Sequence, residues 1–600
     1  MRQKLDSRFC LGIAIFLAAL VVYFPALRAG FVWDDDLLVT DNPLVKSLAG
    51  LRHIWLSAAA TDYTPLTLTS FWIEWQLWAD NATGYHLVNI LLHAASALLV
   101  WRVLEKLTVP GAWLAGILFA VHPVNAASVA WIAERKNTLS MLFYLLAIAR
   151  FLDFHARKKC ADYALALVCF TCALLSKGSV VMLPCVLLGC VWWRAGKISR
   201  RDLVDAAPFF ALSTLLALVT IHFQTRIIEA GTQSQSFAFR LIRAGDAVWF
   251  YVGKIILPLD LCPIYPKWPI RPEALVSYVP GLLALGLMLL FWARRKSWGR
   301  SFLFAWGYFL VTLFPVLGFV GMSFLDQAYV ADWWQQTSML GLVSLISAGV
   351  ARASLSFGKN GRPIFFGSTA IFVLLLGALT WSEAATYESM KIHCRRTLVR
   401  NPDAWSAHNN LGAVLSSDGR LDEATVHYEA ALRLKPTDGA AHNNLGTILA
   451  RLGRYDEAVA HYLSAIAINP NDASAFFNLG NAFRAQHRNR EAMESYAHSL
   501  EINPRWAAPR YQIVEILLEG GKFAAAREQA GIILAQNPDS IVGHYAMAKA
   551  FAGEGNFSDA TDEAHRALEL AQRAGQKKIT AEIQASLDSY AQHVNQTPRP

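Results

Sequence analysis

Charged residues are scarce in this chain of 600 residues: Asp, Glu, Lys and Arg make up 16%, whereas hydrophobic residues make up 54%. This composition excludes an ordinary soluble protein. The eight cysteines show neither the spacing of metal ligands nor the pattern of a disulfide framework, so no zinc site is predicted. The net charge of +9 does not indicate nucleic-acid binding, because Lys and Arg lie mostly in short segments between apolar runs.

Long apolar runs recur from Cys10 to Trp381, and many are long enough to span a bilayer. We predict an uncleaved first helix rather than a signal peptide, because its apolar run is long and more spans follow. The apolar segment 246–258 ends in a Pro-rich turn and is predicted to be interfacial or re-entrant. The eleven predicted spans cover residues 10–29, 87–104, 111–122, 138–153, 162–176, 179–193, 206–223, 276–293, 301–320, 334–350 and 364–381.

Six clusters of Lys and Arg, the first at Arg2 and the last ending at Arg362, set the predicted orientation. If all six face the cytoplasm, the spans between them pair and the N-terminus lies inside. Everything after Trp381 then lies outside. We therefore predict an integral membrane protein whose C-terminal part is extracytoplasmic.

Three adjacent carboxylates, Asp34, Asp35 and Asp36, follow the first apolar run within the predicted first outer loop, residues 30–85. Charges at the end of a membrane segment are costly to place there. Because the three repel one another, at least one is expected to act as a proton acceptor. A hydrated loop that only marks the membrane boundary is the alternative.

Histidines occur at the outer ends of predicted spans. His86 and His93 lie seven residues apart on one face of the second span, and His122 ends the third. A lone histidine in a membrane helix more often bonds a neighbouring helix than takes part in catalysis. We therefore assign these three a supporting role.

Basic residues at the predicted outer face run against the positive-inside trend. They are Arg135 and Lys136, which follow Glu134 between the third and fourth spans, and Lys177 between the fifth and sixth. Binding of an anionic ligand such as a lipid phosphate accounts for the cations. Ion pairing with the first-loop carboxylates accounts for them equally well, and the two explanations are compatible.

The chain becomes polar and periodic after the last span. Prolines recur every 34 residues, at Pro402, Pro436, Pro470, Pro504 and Pro538. Leu-Gly pairs and alanines keep the same period, which is the tetratricopeptide signature of stacked helix–turn–helix units. We predict five repeats over 404–573, with a capping helix and tail over 574–600. Polar residues on first helices that are candidates for acceptor binding, or generic repeat positions, are His408, Asn409, His442, Asn443 and Asn444.

Taken together, the chain resembles the transmembrane and tetratricopeptide-repeat family, protein O-mannosyltransferases of the GT-C superfamily, and its bacterial relatives. The order and spacing of six stretches carry the resemblance: Phe31–Asp35 (FVWDD), Asp62–Phe71 (DYTPLTLTSF), Gly84–Ala94 (GYHLVNILLHA), Phe119–Lys136 (FAVHPVNAASVAWIAERK), Leu174–Ser179 (LLSKGS) and Ala407–Gly412 (AHNNLG).

The resemblance implies an all-α chain: a polytopic GT-C-like membrane domain over 1–383, a linker helix over 384–403, and then the repeat solenoid. It also implies a polyprenyl-phosphate sugar donor, an acidic first-loop base and a polypeptide acceptor held near the repeats. The family's paired acidic motif falls on Asp34 and Asp35, and Asp36 is an extra carboxylate. A location in a bacterial inner membrane, with the repeats in the periplasm, follows from the same resemblance.

The chemistry that this resemblance implies needs a base for the acceptor hydroxyl and positive charge for the departing phosphate. Arg135, Lys136 and Lys177 are the candidate phosphate ligands, and Mg²⁺ or Mn²⁺ would suit hard oxygen ligands without being required. The chain departs from the family where relatives carry A-D-R-Y, because it has Ala331-Asp332-Trp333-Trp334 and lacks the basic residue.

Two other functions fit the sequence less well. The membrane half would be an inactive anchor if the protein is a scaffold that displays its repeats to other proteins. A transporter ranks last, because the carboxylates sit at one surface and the spans show no internal duplication.

Overall fold

The computed structural model describes residues 2–57, 63–224, 235–358 and 361–596, and every regular element in those ranges is helical. The predicted all-α class is confirmed. The chain divides into two compact units, Met1–Asn410 and Leu411–Pro600. Asp62 of the second family motif, Lys359 of the last basic cluster and the end of the tail lie outside the described residues.

Seventeen α-helices precede the repeats in the described residues. Several begin where the sequence supplies a cap, as at Asn81, whose side chain accepts from Thr83 N, and Ser389, whose side chain accepts from Ile392 N. The helices are α1 Arg2–Val22, α2 Pro43–Lys46, α3 Leu48–Leu56, α4 Pro65–Trp78, α5 Ala82–Lys106, α6 Ala112–Val121, α7 Ala126–Ala130, α8 Arg135–Arg157, α9 Cys160–Ser176, α10 Leu183–Ala195, α11 Arg200–Gln224, α12 Phe237–Ile256, α13 Val279–Ala293, α14 Gly299–Leu313, α15 Met339–Ser356, α16 Gly361–Ala384 and α17 Met390–Arg400.

Each of the eleven predicted spans coincides with a helix, but not all of these helices are long enough to cross a bilayer alone. Eight helices in the described residues have the length and apolar character of a span. A ninth is the pair α6 and α7, bent by 51° at the His122 break. The first and fifth predicted spans are shorter apolar helices, Arg8–Val22 and Cys160–Ser176. The segment 246–258 falls in α12, which is not among these candidates.

The repeat unit is built from helix pairs. The first helix of such a pair carries a glycine, which allows close approach of a tyrosine from the second helix of the same repeat. A Cβ on Gly412, for example, would lie 2.8 Å from the ring of Tyr428. The helices are α18 Trp405–Ser417, α19 Leu421–Leu434, α20 Gly439–Arg451, α21 Tyr455–Ile468, α22 Ala473–Ala485, α23 Asn489–Ile502, α24 Ala507–Glu519, α25 Phe523–Gln536, α26 Ile541–Gly553, α27 Phe557–Arg573 and α28 Lys577–Gln596.

Candidate active site

The first outer loop begins with a tight turn that separates its three carboxylates. Trp33 has a positive φ of 53°, and the backbone N–H of Asp35 donates to the Val32 carbonyl at 3.1 Å. A left-handed backbone is energetically unfavourable for a residue other than glycine, so the surrounding contacts must stabilise the turn. The turn points neighbouring side chains in different directions, and the three aspartates consequently have three different environments.

Asp35 is completely buried and binds backbone rather than solvent. Its carboxylate accepts from Val32 N at 2.8 Å and from Ala133 N at 2.6 Å. Burial raises the pKa of Asp35 well above its usual value, although these two N–H groups oppose the rise. Asp35 therefore ties the first loop to the short 3₁₀ turn Ile132–Glu134.

Asp34 and Asp36 remain at the surface of the turn. Asp34 is half-buried, whereas Asp36 is exposed and accepts from the Thr40 hydroxyl at 2.9 Å within its own helical turn. Of the two neighbouring carboxylates Asp34 and Asp35, Asp34 is the less buried. It is therefore the better placed to meet a substrate.

A second set of polar side chains lies next to the residue that Asp35 binds. Glu134 is buried, and its carboxylate pairs with Lys136 Nζ at 3.1 Å and accepts from Asn137 Nδ2 at 2.5 Å. The Lys177 ammonium donates to the Asn137 side-chain oxygen. We call Glu134, Lys136, Asn137 and Lys177 the Glu134 cluster. Two lysines that are distant in sequence thus converge on one asparagine and one carboxylate.

Arg135 has a different environment from the one that the sequence predicts for a phosphate ligand. It is completely buried, and its guanidinium pairs with Glu74 of α4. It also donates to the side chain of Asn89 and, at 2.8 Å, to the carbonyl of Tyr85. Every one of these partners belongs to the protein, so Arg135 joins the first-loop helix α4 to the spans α5 and α8.

The three supporting histidines are buried. His93 lies 3.1 Å from the Ala120 carbonyl and packs against the rings of Tyr23 and Phe119. His122 lies 3.0 Å from the Ile255 carbonyl and accepts from Val124 N, where it caps the turn at the break between α6 and α7. His86 is also completely buried.

The A-D-W-W segment reaches the candidate site through aromatic contacts. The ring of Trp333 packs edge-on against Trp131 at 5.3 Å, and Trp131 packs against Trp33 at 5.5 Å. Trp131 thus lies between Trp333 and the turn at Trp33, and position 333 supplies a ring instead of a charge. Asp332 points away from this stack, accepting from the Tyr265 hydroxyl at 2.9 Å, and burial raises its pKa to about 7.

His393 is a site residue that the sequence analysis missed. It lies on α17, is 2% exposed, and packs edge-on against Trp33 at 5.7 Å and against Tyr387 at 5.0 Å. Neither ring nitrogen has a hydrogen-bond partner among the described residues. Burial lowers its pKa to about 4, so the ring is neutral at pH 7. Nothing in the sequence singles it out, because it is an isolated histidine in a short polar helix.

Two repeat histidines each lie near the carbonyl of the proline six residues earlier in the chain. His408 lies 3.0 Å from the Pro402 carbonyl, and His442 lies 3.2 Å from the equivalent Pro436 carbonyl and 2.9 Å from a nitrogen of His461. Asn443 instead accepts from Asn478 of the next repeat at 3.0 Å. Asn409 and Asn444 are half-buried on the same first helices. The bond between Asn478 and Asn443 therefore connects one repeat to the next.

The structure thus combines a domain of apolar helices, as in an integral membrane protein, with a tetratricopeptide-repeat tail. Residues 62–223 match the family model described as dolichyl-phosphate-mannose-protein mannosyltransferase. Residues 414–453 and 446–486 match a TPR repeat model, and 473–505 match a tetratricopeptide repeat model.

The curated relatives bear similar names. The chain is 23% identical over 456 residues to protein O-mannosyl-transferase F38B6.6 of Caenorhabditis elegans, covering 71% of this chain and 63% of the relative. It is 26% identical over 490 residues to human protein O-mannosyl-transferase TMTC1, covering 70% and 55%. The chain matches the transmembrane and tetratricopeptide-repeat family, as its motifs predict. It spans less than two thirds of the length of these relatives.

Solved structures of TPR proteins resemble part of the chain. One is the crystal structure of YrrB, titled as a TPR protein with an unusual peptide-binding site. It is 21% identical, covers 30% of this chain and 97% of that chain, and has a TM-score of 0.27.

Proposed function

We propose that this protein is a membrane glycosyltransferase that moves mannose or another hexose from a polyprenyl-phosphate donor to a hydroxyl group of a polypeptide. The observation that carries the proposal is the bond between Asp35 and Ala133 N, at 2.6 Å. It joins the turn that presents Asp34 to the segment that begins the Glu134 cluster. A proton acceptor and two lysines are thereby held in neighbouring segments, within a membrane domain matched by a mannosyltransferase model.

Asp34 acts as the base in the proposed reaction. The acceptor oxygen attacks the sugar C1, and the bond between C1 and the phosphate oxygen breaks. The electron pair leaves with the polyprenyl phosphate, and the proton of the acceptor hydroxyl moves to the Asp34 carboxylate. No general acid is needed, because a phosphate is a good leaving group already. Negative charge near C1 also stabilises the oxocarbenium character of the transition state.

Lys136 and Lys177 are the proposed phosphate ligands. Lys136 keeps 27% of its side chain exposed beside Glu134, and Lys177 is half-buried beside Asn137. Arg135 is left out of the donor site, because protein groups surround its guanidinium. Its proposed role is to fix α4, and with it the first loop, against the spans.

Binding of a divalent cation is proposed separately from the transfer steps. The described residues contain no group of three or more His, Cys, Asp or Glu side chains that would hold a metal ion. Mg²⁺ or Mn²⁺ would therefore need oxygen ligands from the donor phosphate as well as from Asp34. The steps above use only side chains of this chain.

The proposed orientation follows the basic clusters. The first outer loop, the Glu134 cluster and the repeats then lie on one side of the membrane, outside the cytoplasm, and the N-terminus lies inside. The donor would be used at the outer surface, and its acceptor would be an envelope or secreted polypeptide.

Transfer by the purified full-length protein tests the proposal. The protein is reconstituted in nanodiscs with polyprenyl-phosphate [¹⁴C]mannose and a set of envelope polypeptides with exposed Ser and Thr. We expect labelled polypeptide and one released polyprenyl phosphate for each sugar transferred. If repeat-dependent partner binding is detected while neither transfer nor donor hydrolysis occurs with any hexose donor, the scaffold hypothesis replaces this one.

The repeats are proposed to hold the acceptor through their asparagines. Amide side chains pair with the N–H and C=O groups of an extended peptide, and Asn443 and Asn478 already bond each other between consecutive repeats. Replacing both with Ala should raise the KM for a polypeptide acceptor about tenfold, because two hydrogen bonds to the acceptor are lost. The kcat should be unchanged. Transfer kinetics at saturating donor provide the measurement.

Arg454→Ala is the matched control, because it removes an exposed pair with Glu457 at the start of α21. It should leave the KM unchanged. An unchanged KM in the double asparagine variant would rule out this mode of acceptor binding.

A further inference from the structure

A cavity lies between the spans, away from the first-loop carboxylates. It encloses about 460 Å³, within the size range of small-molecule sites, and most of its lining is apolar. The cavity is lined by residues of α5, α8, α10, α14 and α15. On α8 its lining begins at Leu145, nine residues beyond Lys136, and nine residues correspond to ~13 Å of helix. The cavity is therefore separate from the candidate active site.

The cavity has the length of a lipid chain in one leaflet. Its lining on α15 runs from Leu340 to Arg352, which corresponds to roughly 18 Å of helix. Half the hydrocarbon core of a bilayer is about 15 Å thick. An extended hydrocarbon chain would thus fit along α15 with its head group near Arg352.

Positive charge is concentrated at the Arg352 end. Arg300 donates to the carbonyl of Trp193, a lining residue, and to that of Trp192 at 3.2 Å. Arg294, Arg295 and Lys296 come just before Trp298, which also lines the cavity. None of the lining residues, all of which the structure describes, is acidic. A basic rim over an apolar cavity between membrane helices suits an anionic lipid head group.

We propose that this cavity binds one acyl chain of an anionic phospholipid, whose phosphate is held by Arg352 and Arg300. This lipid is not the sugar donor, because the donor phosphate is assigned to Lys136 and Lys177 at the other end of the spans. Only this exclusion rests on the proposed function. The site itself would exist in a chain that transfers no sugar. Under the proposed orientation, it would hold a lipid of the cytoplasmic leaflet.

The test uses phosphatidylglycerol with a photoactivatable diazirine in one acyl chain, incorporated into nanodiscs with the full-length protein. After illumination, mass spectrometry maps the cross-linked residues. We expect cross-links on 186–193 and 340–352, at least tenfold more than with phosphatidylcholine carrying the same chain. Asp34→Asn should give the same cross-links, so a failure of the transferase proposal leaves this result unaffected.

Two glycines supply matched variants. A Cβ on Gly349, which lines the cavity, or on Gly367 of α16, which does not, would meet no atom within 4 Å. Gly349→Leu should therefore reduce the cross-linking about tenfold by narrowing the cavity, whereas Gly367→Leu should not. Arg352→Gln should lower the phosphatidylglycerol signal toward that of phosphatidylcholine.

Three results would overturn the proposal. They are an absence of cross-links on both peptides in the unaltered protein, equal cross-linking in the Gly349→Leu and Gly367→Leu variants, and displacement of the probe by polyprenyl phosphate but not by unlabelled phosphatidylglycerol. The last result would show that the cavity takes the donor's chain instead.

Discussion

Replacing Asp34 with Asn is expected to lower the rate of sugar transfer by about 10²–10⁴-fold, the range for loss of a general base. Asn keeps the shape of the side chain and removes the proton acceptor. Donor affinity should be unchanged, because the phosphate is assigned to the lysines of the Glu134 cluster. The measurement is transfer from polyprenyl-phosphate mannose by the purified variant, with donor binding determined separately.

The neighbouring aspartates are the controls for this variant. Asp36→Asn should keep nearly full activity, because Asp36 is exposed and accepts from the Thr40 hydroxyl within its own helical turn. Asp35→Asn should act mainly on stability. An amide in place of this carboxylate leaves Val32 N or Ala133 N facing an NH₂ group, and an unsatisfied buried N–H costs about 1–3 kcal/mol. Its thermal unfolding midpoint should therefore fall.

The roles of Asp34 and Asp35 would be exchanged if Asp35→Asn lost transfer at normal stability while Asp34→Asn kept it. Unchanged transfer in both variants would remove the first loop from the catalytic mechanism. Lys177→Ala adds an independent check, since it should weaken donor binding without changing the Asp34-dependent step.

The architecture was predictable because it depends on periodic patterns. The 34-residue period predicts helix pairs, and the contact of Gly412 with Tyr428 shows why the repeat needs a small residue opposite a ring. Hydropathy locates all eleven predicted spans on helices. It does not determine how many of them cross the bilayer, because length and bending decide that, as at the break between α6 and α7.

The candidate site was predictable only at the level of segments. The sequence marks Asp34, Asp35 and Lys177 as unusual, but it does not say which carboxylate is enclosed. Asp35 is enclosed because a backbone N–H almost a hundred residues away, that of Ala133, binds it. Periodicity carries no information about such a bond. The same holds for His393, which reaches Trp33 through tertiary packing alone.

Arg135 illustrates the limit for charged residues. A cation at a membrane boundary is explained equally by a ligand phosphate and by a buried carboxylate of the protein. The carboxylate is Glu74, on a helix of the first loop, 61 residues earlier in the chain. Ion pairing with first-loop carboxylates is one of the two explanations that the sequence allows, and the structure shows that Glu74 is the carboxylate that pairs with Arg135.

Replacing Arg135 with Ala should destabilise the membrane unit by about 3–5 kcal/mol, because it leaves the buried carboxylate of Glu74 without its partner. Burial already raises the pKa of Glu74, and Arg135 opposes that rise. Without Arg135, the folded-state pKa rises further above the unfolded value. The variant should therefore lose stability as pH increases through that interval and regain part of it in acid, where Glu74 is protonated.

The double variant Arg135→Met with Glu74→Leu separates this structural role from phosphate binding. Replacing both partners of a buried ion pair by apolar residues is often close to neutral, so its unfolding free energy should return to near that of the unaltered protein. Arg102→Ala is the control for an exposed pair: Arg102 is 49% exposed beside Glu105, and its loss should cost less than about 1 kcal/mol. Unfolding by SDS in mixed micelles measures all three variants. The result that would contradict this role has two parts: Arg135→Ala has normal stability, and it binds the donor weakly in a way that the double variant does not restore. Arg135 would then be assigned to the phosphate site.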